Sequence, residues 1–132
     1  MNSELITEFL RKGNVFAVVG VSRNPEKYGH KVYKDLKEAG HTVYPVNPYL
    51  DEVLGDRCYP SLSDLPGKPD VVETVVPPAV TEQIVRECHA LGIDKVWMQP
   101  GSESAQAIAF CKRNGIKFVQ GVCVMVQRRT RR

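Results

Sequence analysis

The chain has 132 residues, of which 42% are hydrophobic and 25% are charged, and its formal net charge is +3. This length predicts one domain spanning residues 1–132, and the ordinary apolar content excludes a disordered protein. No apolar run approaches the roughly 18 residues of a membrane-spanning helix, and the N-terminus lacks the pattern of a secretory signal. We therefore expect a cytoplasmic protein without a membrane partner.

The basic residues are concentrated at the C-terminus. Four of the 18 lysines and arginines lie in the last five positions, at Arg128, Arg129, Arg131 and Arg132. The rest of the chain is close to neutral, which gives no broad case for nucleic-acid binding. Residues 128–132 are interpreted as a solvated basic tail, and contact with an acidic partner or a phosphate is the alternative.

The four cysteines, Cys58, Cys88, Cys111 and Cys123, form no C-x-x-C pair. Together with three scattered histidines they give no metal-ligand spacing, so no metal site is predicted. Free thiols in a reducing compartment are the simplest interpretation.

The N-terminal half alternates helical and strand patterns. The continuous apolar run Val15–Gly20 predicts a strand buried on both faces, as in a parallel sheet. A helix over Gly29–Ala39 follows, and then a second strand over Thr42–Asn47, where Pro45 indicates an edge or an interrupted pairing. Ahead of these elements, Ser3 is expected to cap a helix that buries Leu5, Ile6, Phe9 and Leu10 and stops at Gly13.

The second half begins with an irregular stretch and then resumes the alternation. The irregular stretch, 48–70, is expected to hold a short strand near Arg57–Tyr59 and a helical turn at Ser61–Leu65. The later strands are predicted at Val71–Val76, Lys95–Gln99 and Lys117–Gln120. One helix is predicted over Val80–Leu91 with Val80, Ile84, Cys88 and Leu91 inward, and another is predicted to be capped by Ser102 with Ala105, Ile108 and Ala109 inward.

This alternation predicts an α/β fold, namely a Rossmann-like three-layer α/β/α domain with an open, mainly parallel sheet of about five strands. Ligands of such sheets bind beyond the carboxyl ends of the strands. The segments expected at that edge are rich in glycine, proline and small polar residues and contain no Asp, Glu or His. We therefore predict no catalytic residue there.

The first strand-to-helix turn, residues 20–29, has features that suit an anion. Gly20 allows a ligand to approach the backbone, and the helix that follows presents unpaired amides and a partial positive charge. Arg23 and Lys27 add formal charge, and Ser22 adds a hydroxyl donor. The alternative is a plain turn with solvated basic residues.

Two familiar phosphate loops are absent from this turn. The dinucleotide fingerprint G-x-G-x-x-G fails because Ser22 and Pro25 replace its later glycines, and Asn47 stands where an acid would hold a ribose. The P-loop pattern is missing as well. An NAD(P)-binding oxidoreductase or redox sensor is thus the alternative function rather than the main one.

Several motifs together resemble a known family. They are Gly20-Val21-Ser22, then Asn24-Pro25 with Lys27 and Gly29, Val46-Asn47-Pro48, Leu54-Gly55, Tyr59-Pro60-Ser61-Leu62, the Trp97-Met98-Gln99 strand and the end Gly121-Val122-Cys123. In these the chain resembles the small stand-alone coenzyme A-binding proteins, which are similar to the CoA-binding domain of the succinyl-CoA synthetase α subunit. Relatives often have charged residues where this chain has Pro77-Pro78, and Asp-Arg-Cys where it has Gly121-Val122-Cys123.

The resemblance implies a ligand, coenzyme A or a short acyl-CoA, and a role for individual residues. The implied module binds CoA without catalysing a reaction, and the resemblance also admits an accessory subunit of an acyl-CoA ligase or a homo-oligomer. The CoA-binding residues expected from the turn and the resemblance are Gly20, Val21, Ser22, Arg23, Lys27, Gly29, Asn47, Pro48, Val76, Pro77, Gln99, Gly101 and Cys123.

Two residues have alternative interpretations. Cys123 at the ligand edge is either a thiol near the pantetheine sulfur, able to form a mixed disulfide, or a small residue that packs, and packing is the favoured interpretation. His30 in the first helical turn either meets a phosphate or faces solvent, and exposure to solvent is favoured.

Overall fold

The computed structural model describes residues 3–131, which form seven strands and five α-helices. The sheet that positions the site has five strands in the order β2-β1-β5-β6-β7, and a separate two-stranded hairpin joins β3 to β4. The strands are β1 Phe16–Val19, β2 Val43–Val46, β3 Glu52–Val53, β4 Asp56–Arg57, β5 Val71–Thr74, β6 Lys95–Met98 and β7 Lys117–Gln120. The helices are α1 Ser3–Phe9, α2 Tyr28–Glu38, α3 Pro78–Leu91, α4 Ala105–Arg113 and α5 Val124–Thr130.

All neighbouring strands of the large sheet are parallel, so their carboxyl ends meet at one edge. β2 is the outermost strand on one side, which confirms the edge position indicated by Pro45. The missing amide of Pro45 costs β2 little, and its carbonyl accepts a hydrogen bond from the Tyr59 amide at 2.9 Å. The predicted Rossmann-like architecture is confirmed.

Two apolar cores lie on opposite faces of the sheet. One contains Ile6 and Phe9 of α1, side chains of α2 and α5, and Trp97 of the sheet. The other contains side chains of α3 and α4, among them Val85 and Cys111. The β-branched strands are therefore covered on both faces, which explains their continuous apolar runs.

Two helices differ from the prediction in which face they bury. α3 begins at Pro78, two residues earlier than predicted, and buries Thr81, Val85 and Cys88, whereas Leu91 is 37% exposed. α4 is capped by Ser104, whose hydroxyl accepts a hydrogen bond from the Ala107 amide at 2.9 Å, and not by Ser102. α4 buries Ala107 and Cys111, while Ala105, which was expected inside, is exposed.

The prediction of a solvated tail is wrong for Arg128 and Arg131, because residues 124–130 form α5 and these two side chains contact other helices, whereas Arg129 is exposed. Arg128 donates two hydrogen bonds of 2.7 Å to the carboxylate of Asp35 on α2. Arg131 donates to the hydroxyls of Ser3 and Thr7 on α1. α1 already includes Ser3, so Ser3 is not its cap, and Arg132 lies outside the described residues.

The hairpin is fastened to α2 by a polar cluster. The Asp56 carboxylate accepts hydrogen bonds from the Tyr33 hydroxyl and the Lys37 ammonium group. Burial alone would raise the pKa of Asp56, but these two donors outweigh it and lower that pKa. The irregular stretch after β2 is thereby held beside the carboxyl edge.

Within residues 3–131, no helix combines the length and apolar character needed to cross a membrane. The same residues contain no group of three or more His, Cys, Asp or Glu placed to hold a metal ion.

Candidate functional site

A cleft of about 690 Å³ opens between the β1–α2 turn and the segment after β2. Arg23 and Lys27 contribute positive charge to its wall, and Glu26 contributes one negative charge. The N-terminal end of α2 adds partial positive charge. The cleft is lined by residues 20–24 and 26–29, Asn47, Leu50 and Val75.

The turn is folded by hydrogen bonds of its own side chains. The Ser22 hydroxyl accepts from the Asn24 amide, and the Asn24 side-chain oxygen accepts from the Glu26 amide, both at 3.0 Å. Ser22 still has its own hydroxyl proton to donate. These short-range bonds fix the loop and leave its cationic side chains facing solvent.

The N-terminus of α2 faces the cleft without a side-chain cap. Lys27 occupies the N-cap position and makes no capping hydrogen bond. The first amides of a helix have no intrahelical acceptor, so those of Tyr28 and Gly29 are available to an anion. Gly29 is required for close packing, because a Cβ there would lie 2.1 Å from the carbonyl oxygen of Gly20.

Gly20 is required for a reason other than the expected one. Its φ is +99°, and a Cβ at this position would lie 2.2 Å from the carbonyl oxygen of Val75 and 2.6 Å from a methyl group of Val76. The close approach is thus made by the end of β5. The absence of a Cβ at Gly20 allows the end of β5 to pack against the turn. Approach of a ligand to this glycine stays a prediction.

Asn47 joins the turn to β2 with both ends of its side-chain amide. Its Nδ2 donates to the Val21 carbonyl at 2.8 Å, and its Oδ1 accepts from the Tyr49 amide at 2.8 Å. Aspartate could not donate the first of these bonds. The position where a dinucleotide-binding domain has its ribose acid is therefore used here to hold two loops together.

A second cavity of about 410 Å³ adjoins the first on the α3 side of the sheet. The two cavities share Gly20 and Asn47. Pro48 and Val76 line this second cavity, as do Tyr49 and residues 60–62. Tyr49 is 90% exposed and was not predicted as a site residue.

The ends of β5 and β6 carry a buried polar network that the sequence analysis missed. The Ser102 hydroxyl lies 2.9 Å from the Thr74 hydroxyl and 2.8 Å from the carbonyl oxygen of Gln99. The Gln99 side chain donates from Nε2 to the Cys123 sulfur at 3.0 Å and accepts from the Val124 amide at 3.2 Å. Gln99 and Cys123, both predicted site residues, are therefore in direct contact.

A buried carboxyl group lies in the middle of β5. Glu73 is fully buried, and neither carboxyl oxygen has a hydrogen-bond partner among residues 3–131. Burial raises its pKa well above the usual range, and the neighbouring Cys123 raises it further. An acid inside the apolar run VVETVV, which the sequence predicts to be a strand, was the available signal.

The structure separates the predicted residues by their surroundings. Residues of the turn surround the first cleft, Asn47 borders both cavities, and Gln99 pairs with Cys123. Pro77 and Gly101 are exposed at the same edge and line neither cavity. The solvent-facing interpretation of His30 was wrong, since the ring is buried with Nδ1 2.9 Å from the Ser22 carbonyl oxygen.

An open parallel sheet with an anion-suited turn at its carboxyl edge defines a Rossmann-like ligand-binding domain. The family model described as "CoA binding domain" matches residues 14–129, and the chain belongs to this family.

The relatives are of two lengths. Uncharacterized protein YneT of Bacillus subtilis is 30% identical over 121 residues, which cover 92% of this chain and 90% of YneT. The α subunit of the ADP-forming acetate–CoA ligase II of Pyrococcus furiosus is 42% identical over 81 residues, which cover 61% of this chain but 18% of that subunit. A conserved hypothetical protein of Pyrococcus furiosus has a solved structure with a TM-score of 0.83 and 43% identity, and the match covers 86% of this chain and 98% of that one.

Proposed function

We propose that this chain binds coenzyme A, free or as a short acyl thioester, at the carboxyl edge of its sheet. The observation that carries the proposal is the cleft at the β1–α2 turn, where two cationic side chains and an uncapped helix N-terminus converge in a member of the CoA-binding family. The diphosphate of CoA is the anion that this cleft suits.

Separate surfaces along the same edge suit the remaining parts of CoA. The second cavity adjoins the cleft and offers the apolar walls Pro48 and Val76, which suit a nucleoside or an apolar arm. From β1 to β7 the edge spans three strand spacings, about 14 Å. We place the pantetheine arm along this edge, past Val76 and toward Gln99 and Cys123.

Position 47 is Asn and not an acid that could bind a ribose. Both ends of its side-chain amide are already hydrogen-bonded to Val21 and Tyr49. This observation favours CoA over NAD(P). Thermal unfolding in the presence of each ligand tests the choice, and we expect CoA to raise the Tm while NADH at the same concentration does not.

Isothermal titration calorimetry with CoA tests the proposal directly. We expect saturable binding that Lys27→Ala weakens about tenfold, because a charge-assisted contact with a phosphate is lost. Lys34→Ala is the matched control, since Lys34 is an exposed lysine of the same helix outside the cleft, and its affinity should equal that of the wild type. Absence of binding heat, or equal weakening by both variants, would contradict the proposal.

A second candidate function is that of an accessory CoA-binding subunit of an acyl-CoA ligase. It is favoured by the match to a ligase α subunit of which this chain corresponds to 18%. Cross-linking in the source cell followed by mass spectrometry should recover ligase subunits on this chain. Recovery of the chain without ligase subunits would contradict this second candidate and favour a stand-alone CoA-binding module.

A further inference from the structure

Cys123 differs from the other three cysteines in its surroundings. Cys58, Cys88 and Cys111 are buried, and burial raises the pKa of each of these thiols. Cys123 is partly exposed and lies just after β7, at the edge of the sheet where the ligand is proposed to bind.

The sulfur of Cys123 receives a hydrogen bond whose direction is fixed. Because Gln99 Oε1 accepts from the Val124 amide at 3.2 Å, the Nε2 group of Gln99 is the one that points to Cys123 Sγ, at 3.0 Å. A hydrogen bond donated to a sulfur atom stabilises negative charge on it, and a reacting thiolate carries that charge. The backbone beside it is also held, since Trp97 Nε1 donates to the Val122 carbonyl at 3.0 Å.

A second, independent observation is the unpartnered carboxyl of Glu73. Glu73 is the register partner of Trp97, and side chains two residues apart share a sheet face, so Glu73, Trp97 and Gln99 lie on the face that receives residues 122–124. The carboxyl is fully buried without a hydrogen-bond partner among residues 3–131 and interacts electrostatically with Cys123. A buried, unpaired acid is costly, so the core beside Cys123 keeps a carboxyl group that no contact among residues 3–131 explains.

We propose that Cys123 is a modification site that exchanges with the disulfide form of coenzyme A and joins CoA covalently to the protein. This inference rests on the proposed function, because CoA bound with its diphosphate at the β1–α2 turn would extend its thiol end along the edge toward β7.

The exchange balances without an external oxidant. The Cys123 sulfur attacks one sulfur of CoA disulfide, and the new Cys123–CoA bond forms as the original S–S bond breaks. The departing CoA leaves as a thiol and takes up a proton in place of the one that Cys123 lost. One disulfide is consumed and one is formed.

The experiment incubates the reduced full-length protein with CoA disulfide and follows intact mass and peptide maps over time. We expect one CoA per chain, located on Cys123 and released by dithiothreitol. Cys123→Ser should abolish the adduct, and Cys111→Ala, which changes a buried cysteine of α4 in the opposite core, should form it at the wild-type rate. Lys27→Ala should slow the reaction about tenfold by weakening recruitment.

Two comparisons make the result specific. Glutathione disulfide at the same concentration should react at least about tenfold more slowly, because it lacks the bound orientation. Gln99→Leu should slow the CoA exchange at least about tenfold beyond any change in the calorimetric affinity for CoA, because Cys123 Sγ loses the N–H group from which it accepts a hydrogen bond. Equal rates with both disulfides would overturn the proposal, and an unchanged rate in Gln99→Leu would overturn the role of the hydrogen bond from Gln99.

Failure of this inference is distinguishable from failure of the proposed function. If calorimetry shows CoA binding while no adduct forms on Cys123, the modification site is wrong and the CoA site stands. If calorimetry shows no binding, the proposed function itself is wrong.

Discussion

The two ends of the sheet's carboxyl edge have opposite chemistry. At the β1–α2 turn the cationic groups are exposed, and Arg23 and Lys27 face a cleft. At the ends of β5, β6 and β7 the polar groups are buried and bonded to one another, as in the contact between Ser102 and Thr74. A polyanion needs the first environment, whereas a neutral amide arm ending in a thiol suits the second. The edge therefore offers different surroundings to the two ends of the proposed ligand, whose charge is confined to one end.

The two ends are also in contact, because Gly20 of the turn packs against the end of β5. A substitution at Gly20 tests this contact and has the largest expected effect. Gly20→Ala should lower the free energy of unfolding by about 4 kcal/mol or more, because a Cβ would meet the end of β5 in a strained backbone. Gly40→Ala is the matched control, since Gly40 has a similar φ of +97° with nothing within 4 Å, and should cost only about 1–2 kcal/mol. Denaturant titration measures both, and equal losses would contradict the contact with β5.

The turn could be largely predicted from the sequence, and the buried end could not. The bonds that shape the turn join residues two apart, such as Ser22 to Asn24, so they are visible as a local pattern. The bonds of the buried end join Thr74 to Ser102 and Gln99 to Cys123, which lie 28 and 24 residues apart. Their pairing depends on the register of β5, β6 and β7, which local patterns do not specify.

The same reasoning explains the misassigned cap and tail. The sequence predicts the cap of α4 at Ser102, but the Ser102 hydroxyl contacts Thr74, and Ser104 caps the helix. α5 was missed because its stability depends on distant partners such as Asp35.

The pH dependence of the free energy of unfolding tests whether water is excluded from Glu73 at the buried end. Since the folded-state pKa of this acid is raised, the unfolded state ionises first as pH increases, and stability falls as pH rises above the unfolded pKa. One such group contributes at most about 3 kcal/mol between pH 5 and 7. Glu73→Gln should remove that part of the slope, and Glu38→Gln, at an exposed acid of α2, should leave it. Stability of the wild type that does not fall over this range would contradict a neutral, buried Glu73.

Ser102 tests the network itself. Ser102→Ala should lower the free energy of unfolding by about 2 kcal/mol, because it leaves the buried Thr74 hydroxyl without its partner. Ser104→Ala removes a helix cap two residues away and should cost about 1 kcal/mol. Thermal or denaturant unfolding ranks the two, and a larger loss in Ser104→Ala would mean that the network contributes less than an ordinary cap.

The smallest effect is expected at the contact between α2, which follows the β1–α2 turn, and α5, which follows β7. Arg128 of α5 and Asp35 of α2 form a bidentate pair that is partly exposed, with side-chain exposures of 29% and 14%. Its bidentate geometry makes it stronger than a typical surface ion pair, but solvent screens it. Arg128→Gln should therefore lower the free energy of unfolding by about 0.5–1 kcal/mol. Arg129→Gln, at an exposed neighbour, should cost nothing measurable. The difference between the variants should shrink in 1 M salt, where charges are screened within about 3 Å; a difference that persists would assign the loss to packing of the arginine stem instead.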